Sequence, residues 1–411
     1  MKSNYLTKVG REVSRLLATA AICLLFRATA HGDPVHTNPM NNDPQVREAF
    51  ARFYNLDFPA AVSGFESFHA SHPGDPQATA YLVDALIFQE LYRQDLLDTT
   101  FYANDGFLTG HHATEEDTAK RDQIFALADE SVREADLRLS RNPNDVDALF
   151  ARAWVRSLRC TYVAMVERAF GTGFRLATKA KDDSNRALEI DPDYVDAKLV
   201  SGVYEYVVGA LPLPFKILIG FAGINGSKTK GLQLLEDAGN RGTITSLDAR
   251  TAIALFLRRE ARYKEAIEIV RGLKKQYLHN FLFALEEANL RRDAGEGMVA
   301  VDAYRELLAN NTKPGYFDFA KLELADFGYA EALRGQRHYS EAAQAYEQAA
   351  ATIDVGPELK IRSLLAAGEC HDLNGERQPA LADYQAAINA GTATSRADTA
   401  RKYLHTAYRG N

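Results

Sequence analysis

The sequence predicts an all-α protein, a right-handed superhelical solenoid of stacked helix–turn–helix units. Three observations lead there. Leu364, Ala367 and Gly368 fall at i, i+3 and i+4, and Ala380, Tyr384 and Ala387 at i, i+4 and i+7, so two amphipathic runs flank a turn at Asn374-Gly375. The small residue that opens the second run recurs at Ala266, Ala300, Ala342 and Ala380, with spacings of 34, 42 and 38 residues. No stretch alternates apolar and polar side chains convincingly in the manner of a strand.

The small residues carry the physical argument. Antiparallel helices approach closely only where side chains are small. Gly368 and Ala380 permit the approach, Tyr384 fills the groove, and Ala387 leaves room for the next helix. With 46% hydrophobic, 10% aromatic and 25% charged residues, the 411-residue chain has ample apolar material for a core. That length would suggest two or three globular domains, but each unit of a solenoid packs only on its neighbours and escapes the count.

Taken in order, residues 1–30 read as a secretory signal. Lys2, Lys8, Arg11 and Arg15 make a basic start, Leu16 to Phe26 is an uncharged run of eleven, and Ala28-Thr29-Ala30 offers a small-x-small cleavage site. Eleven residues are too few to span a bilayer as a helix. Cys23 is preceded by Ile22 where a lipoprotein anchor would need a small residue. The chain is therefore expected to be exported, to a periplasm or to the medium. The net charge is −7, and residues 1–30 carry five basic and one acidic side chain, which leaves −11 for the mature chain and argues against nucleic-acid binding. Cys160 and Cys370 then remain, far apart in the repeat order, and are expected as two buried thiols.

Residues 31–44, rich in Asn and Pro, read as a flexible lead-in. Residues 45–240 hold degenerate repeats with two interruptions. The first, 96–118, is rich in turn residues and aromatics. The second, 207–230, contains Pro212, Pro214 and several glycines within a long apolar stretch. A long helix is expected from Asp145 to Glu167, broken at Gly171-Thr172-Gly173. Regular repeats occupy 241–390, marked by Tyr263, Ala266 and Val270, then Gly295, Ala300, Tyr304 and Leu307, then Tyr339, Ala342, Tyr346 and Ala349. Residues 391–411 form a polar capping helix, the wet end a solenoid needs. Roughly eight hairpins and a cap result.

These units resemble the tetratricopeptide repeat, a helix–turn–helix of about 34 residues. The resemblance implies a right-handed superhelix with a concave groove and no catalytic centre. A second resemblance is narrower. Gly209, Leu211-Pro212, Lys216, Gly220-Phe221, Gly223, Gly231-Leu232 and Leu235 look like a segment of the eukaryotic inclusion-body-clearance family of tetratricopeptide proteins. That family is associated with aggregates and lipid droplets, a cellular setting an exported chain cannot share.

No catalytic or cofactor signature stands up. Gly295-Glu-Gly297-Met-Val-Ala300 follows a helix instead of a strand, so it reads as an interhelical turn and not a dinucleotide loop. In Gly223 to Thr229, Ser227 separates Gly226 from Lys228, and the stretch reads as a turn with an N-capping Ser or Thr. His111, His112 and Glu115 have the right ligand types for zinc, but the same stretch reads better as a solvated helix start. Glu286 and Glu287 are neighbours on a helix and must point apart. The sequence contains no G-x-S-x-G, H-E-x-x-H or C-x-x-C.

The expected function is that of a non-enzymatic scaffold, without cofactor, holding a protein or peptide in its concave groove. Tyr204, Arg250, Arg258 and Tyr329 are candidates on the first helices of the repeats, and Leu211, Phe215 and Phe221 on the apolar insertion. That insertion reads as a plug for the inner groove, as a lip for an apolar peptide or lipid, or as a membrane-surface contact. The alternative function is a hydrophobic-ligand carrier, or a factor at an outer membrane, using residues 207–224.

Overall fold

The computed structural model describes residues 35–103, 117–212, 225–392 and 394–410. Within them the protein is an all-α repeat solenoid, and no strand occurs among the described residues. Eight helical hairpins follow one another: α1 (Pro44–Phe53) with α2 (Phe58–Ser71), α3 (Pro76–Arg93) with α4 (Thr118–Arg141), α5 (Val146–Met165) with α6 (Phe170–Ile190), and α7 (Ala197–Ala210) with α8 (Lys228–Arg241). Then come α9 (Ser246–Arg259) with α10 (Tyr263–Gln276), α11 (Phe281–Asp293) with α12 (Met298–Asn311), α13 (Leu322–Gly335) with α14 (Tyr339–Ala351), and α15 (Pro357–Leu373) with α16 (Arg377–Ala390). A last helix, α17 (Ser395–His405), closes the array. Each helix packs chiefly on the one before and the one after. One apolar core runs from Val46 to Cys370, and a smaller cluster joins α16 to α17.

Local sequence accounts for the helix ends. Asp43, Asp57, Asp75, Asp117 and Asp145 each cap a helix by accepting from its first-turn backbone N–H groups. Ser227 does the same for α8, the capping role expected of it. Within most hairpins the turn passes through one left-handed residue: Leu56, Arg168, Ala261, Gly295, Arg337 and Gly375 all have φ between 55° and 80°. Gly295 and Gly297 thus belong to an interhelical turn. The α5–α6 break falls at residues 166–169 and not at Gly171-Thr172-Gly173. Arg168 supplies the left-handed turn, and Gly173 lies inside α6, buried against Cys160 and Ala164 of α5.

The marker residues pack as their sizes require. Ala266, Ala300, Ala342 and Ala380 are buried, as are Tyr304, Tyr346 and Tyr384. A Cβ on Gly368 would stand 2.6 Å from Tyr384 Cε1, and one on Gly328 would stand 2.6 Å from Tyr304 Cε1. The phenol rings therefore fill the space that a side chain would take on the facing helix. At the α7–α8 crossing backbone meets backbone. A Cβ on Gly231 would stand 2.6 Å from the Tyr206 backbone nitrogen and 2.8 Å from the Gly202 carbonyl oxygen. Gly209, Gly231 and Leu235 are packing residues of this crossing or its approach. Residues 213–224 of the apolar insertion lie outside the described residues.

Residues 35–43, expected as a flexible lead-in, lie along the α6–α7 connection. His36 N–H donates to the Asp193 carbonyl, and Thr37 Oγ1 donates to Asp196 Oδ2 at 2.9 Å. Asp196 is fully buried. Its Oδ1 accepts from the backbone N–H groups of Thr243, Ile244 and Thr245 and from Thr245 Oγ1 at 2.8–3.2 Å, so one carboxylate ties the start of α9 to α7. Cys160 is half-buried and Cys370 buried, both as free thiols.

Two glycine substitutions should separate crowding from helix propensity. Gly231→Ala forces backbone apart and should destabilise the protein by about 1–3 kcal/mol. Gly272 is exposed in α10 with nothing within 4 Å of an added Cβ, so Gly272→Ala should stabilise by about 0.5–1 kcal/mol. Urea midpoints for the two variants should move in opposite directions.

Candidate functional site

The first helices of the later hairpins, α9, α11 and α13, turn one face toward the N-terminal hairpins, and that face is not empty. Residues 92–102, from the end of α3 into a 3₁₀ turn at Thr99–Tyr102, run across it. Tyr92 hydroxyl donates to the Phe319 carbonyl, and Lys321 Nζ pairs with Asp95 and donates to the Arg93 carbonyl at 3.1 Å. Arg259 Nη1 donates to the Tyr102 carbonyl at 2.7 Å, and Asn289 Nδ2 to Asp98 Oδ1 at 3.4 Å. Much of this recognition is side chain to main chain, the way a receptor holds an irregular peptide.

Arg258 is the centre of the contact. Its side chain is 1% exposed and sits in the last turn of α9, where a cation suits the helix dipole. Nη1 reaches Thr99 Oγ1 at 2.5 Å and Glu286 Oε2 at 3.1 Å, while Nε and Nη2 hold Asp293 Oδ2 at 2.8 and 2.5 Å. Burial opposes the guanidinium charge, but Glu286 and Asp293 more than offset it and raise its pKa. Glu286 is pushed up to about 7 by burial, with Arg258 and Thr99 pulling back. Its neighbour Glu287 points away, toward Arg271, Lys274 and Arg291.

Beside this cluster α1 docks on α9 and α11. Tyr54 hydroxyl donates to the Ile244 carbonyl at 3.0 Å, Asn280 Nδ2 donates to the Tyr54 carbonyl at 2.7 Å, and the Tyr54 and Tyr277 rings lie 5.6 Å apart. Between the docked surfaces is an apolar chamber of about 120 Å³, walled by Phe53, Phe58, Phe88, Leu97, Leu255 and Phe283 among others. Asp84 is 2% exposed and its Oδ2 has no hydrogen-bond partner. Burial, then the charge of Asp248, raises its pKa well above the carboxylate range. Asp248 itself is pushed up to about 7 by burial, against the Tyr54 hydroxyl contact.

Of the candidate binding residues named from the sequence, Arg258 alone is in this contact, where it meets Glu286. Tyr204 is 6% exposed and lies under Lys181, whose Nζ is 5.4 Å from the ring centre. Arg250 stacks on Gly239 and donates to Gln276 Oε1 at 2.7 Å, between α8 and α10. Tyr329 is half-buried beside Arg305 of α12, and Leu211 is half-buried at the end of α7. Phe215, Phe221, His111, His112 and Glu115 lie outside the described residues. Among the described residues the inner-face segment comes from the start of the first interruption, 96–118; residues 213–224 of the apolar insertion lie outside them. Asp95, Asp98, Arg259 and Lys321 carry no motif. The only hint was the density of aromatics and hydroxyls in LLDTTFY (residues 96–102).

No known family and no curated protein matches the chain by sequence. Among solved structures, a tetratricopeptide repeat protein from Parabacteroides merdae is similar over 80% of this chain and 99% of its own, at 14% identity and a TM-score of 0.34. The yeast protein Tom70 is similar over 88% of this chain and 87% of its own, at 11% identity and a TM-score of 0.39. The repeat architecture described above rests on the hairpins themselves.

The buried acids give the protein a pH signature. A carboxyl whose pKa is raised on folding binds its proton more tightly in the folded chain, so its contribution falls as pH rises through and above the unfolded value of about 4. Asp84→Asn removes that loss. Its urea midpoint should exceed that of the wild type at about pH 8, with the gap shrinking toward pH 4. Equal midpoints across the range would show that Asp84 is ionised in the folded protein without cost.

Proposed function

We propose that the protein is a non-enzymatic scaffold whose inner face recognises an irregular segment of a protein partner bearing acidic and hydroxyl side chains. The observation that carries the reading is that the face already holds such a segment, its own residues 92–102. Arg258 and Asn289 read the side chains of Thr99 and Asp98, while Arg259 and Lys321 read main-chain carbonyls. Arg259 and Lys321, with Asn289, offer cationic and hydrogen-bonding groups to an acidic peptide. In the intact chain the internal segment competes at an effective concentration on the millimolar scale, so a partner must displace it or bind beside it. Regulation of access is then built into the scaffold.

Residues 1–30 support action outside the cytoplasm, and no described helix is long and apolar enough to cross a membrane. The carrier reading has less behind it. The chamber of about 120 Å³ would hold a molecule the size of benzene and not a lipid chain, and the rest of that reading depends on residues 213–224.

The test uses the full chain with residues 94–103 replaced by a Gly-Ser linker, and a labelled peptide of residues 92–103. The peptide should bind with a Kd on the order of 1–100 μM. A scrambled peptide should not, and Arg259→Ala with Lys321→Ala should weaken binding by about tenfold or more. A folded linker variant that ignores the peptide would defeat the proposal.

A further inference from the structure

The other cluster of chemically capable side chains lies at the far end of the array, on three consecutive helices. His371 of α15 is 9% exposed. Its Nε2 stands 3.0 Å from Glu347 Oε1 of α14 and 3.7 Å from Asp383 Oδ2 of α16. Its Nδ1 stands 2.7 Å from Glu376 Oε2, in the turn that leads into α16. The ligand atoms of Glu347, His371 and Asp383 all lie within 4.8 Å of one another.

Hydrogen bonding within the cluster leaves it unfinished in two respects. Asp383 is 9% exposed, and its Oδ2 has no hydrogen-bond donor. A distance of 3.7 Å to an imidazole nitrogen already committed to Glu347 is too long for one. Charge is the second deficit. Three carboxylates surround one imidazole, and among the described residues no lysine or arginine pairs with any of them, so the ionised cluster stays at −2 even with His371 protonated. Glu347 and Glu376 keep 44% and 40% of their side chains in solvent, so the costly charge is that of buried Asp383, which lacks a counter-charge of its own. A divalent cation would supply both the missing charge and the missing partner for Asp383.

We infer that Glu347, His371 Nε2 and Asp383 form a site for a divalent transition-metal ion of the zinc class, with Glu376 fixing the imidazole through Nδ1. The ligand set, one imidazole and two carboxylates, suits a borderline cation better than calcium or magnesium, which favour all-oxygen shells. Ligands about 2.0–2.2 Å from a tetrahedral ion stand about 3.3–3.6 Å apart, so the observed spacings close on an ion with small side-chain movements. Glu347, with 44% of its side chain exposed, is the ligand free to move. The contact between Glu376 and Nδ1 leaves Nε2 as the coordinating nitrogen and strengthens it as a ligand. The fourth position is open to water. Such an ion would bridge α14, α15 and α16 and clamp the last two hairpins together. This site is separate from the inner face and independent of the peptide reading.

The full chain, stripped with a chelator, is titrated with Co²⁺ and then with Zn²⁺, read by the Co²⁺ absorption band and by metal analysis after desalting. The wild type should take up one Co²⁺ per chain and release it to Zn²⁺. His371→Gln should abolish the band, and Glu376→Gln should weaken binding by about 10–100-fold. Asp383→Asn should also lose the ion, yet the metal-free variant should be at least as stable as the metal-free wild type, because an unpaired buried carboxylate is gone. Loss of metal there cannot be put down to unfolding. His111→Ala combined with His112→Ala should leave the band unchanged. No uptake by the wild type overturns the inference, as does a band that survives in His371→Gln and Asp383→Asn or vanishes in the His111/His112 variant alone.

Discussion

Backbone-to-backbone contact between neighbouring helices is the constraint on which the structure depends. Glycine on one helix faces backbone or a tyrosine ring on the next, at Gly231 against the Gly202 carbonyl and Tyr206 nitrogen and at Gly368 against the Tyr384 ring. Helices so close have room for one large side chain only where the facing position is glycine, so each hairpin presents its remaining residues to an inner or an outer surface. A stack of such hairpins buries its apolar stripe only against its neighbours. The inner surface is left with polar side chains that a core would have excluded.

That inner surface explains the closure onto the N-terminal segment. Arg258, Glu286, Asn289 and Asp293 project from α9 and α11 toward one another, and a guanidinium at 1% exposure needs every acceptor it can find. Thr99 completes the set. Lys321 and Arg259 extend the same chemistry to the main chain of residues 93 and 102. The segment is thus held by these polar contacts together with Leu96 and Leu97 packed into the core, whereas Phe53, Tyr54 and Phe58 dock beside it through rings. The two halves of the closure differ in kind. Polar contacts exchange readily with those of a competitor, and burial of aromatic rings does not.

The hairpins were legible in the sequence because small residues at fixed spacing have one structural meaning. Ala266, Ala300, Ala342 and Ala380 are buried as their spacing requires, and the Asp-Pro and Asn-Gly pairs end or start helices. The Gly171-Thr172-Gly173 break was misplaced because an arginine, Arg168, adopts the left-handed turn that glycine usually marks. The inner-face contact was mostly illegible. It joins residues 157–228 positions apart, such as Arg259 to Tyr102 and Lys321 to Arg93, and no local pattern encodes closure of a superhelix on its own first turns. His111 and His112 drew attention as neighbours in sequence. Both lie outside the described residues, and among the described residues the imidazole with several carboxylates converging on it is His371, whose partners on α14 and α16 sit 24 and 12 residues away.

The same geometry bears on how the array opens. Local stability in a solenoid follows nearest-neighbour contacts, so release of residues 94–103 need not disturb the hairpins on either side. Freed of Thr99 and Asp98, the inner face keeps Arg258 paired with Glu286 and Asp293. What Arg258 loses is the Thr99 hydroxyl, which a hydroxyl or carboxylate of a partner segment would replace on the proposed reading. On that reading, the exchange of internal for external occupant would be nearly balanced in hydrogen bonds, its direction set by the charge the incoming segment brings.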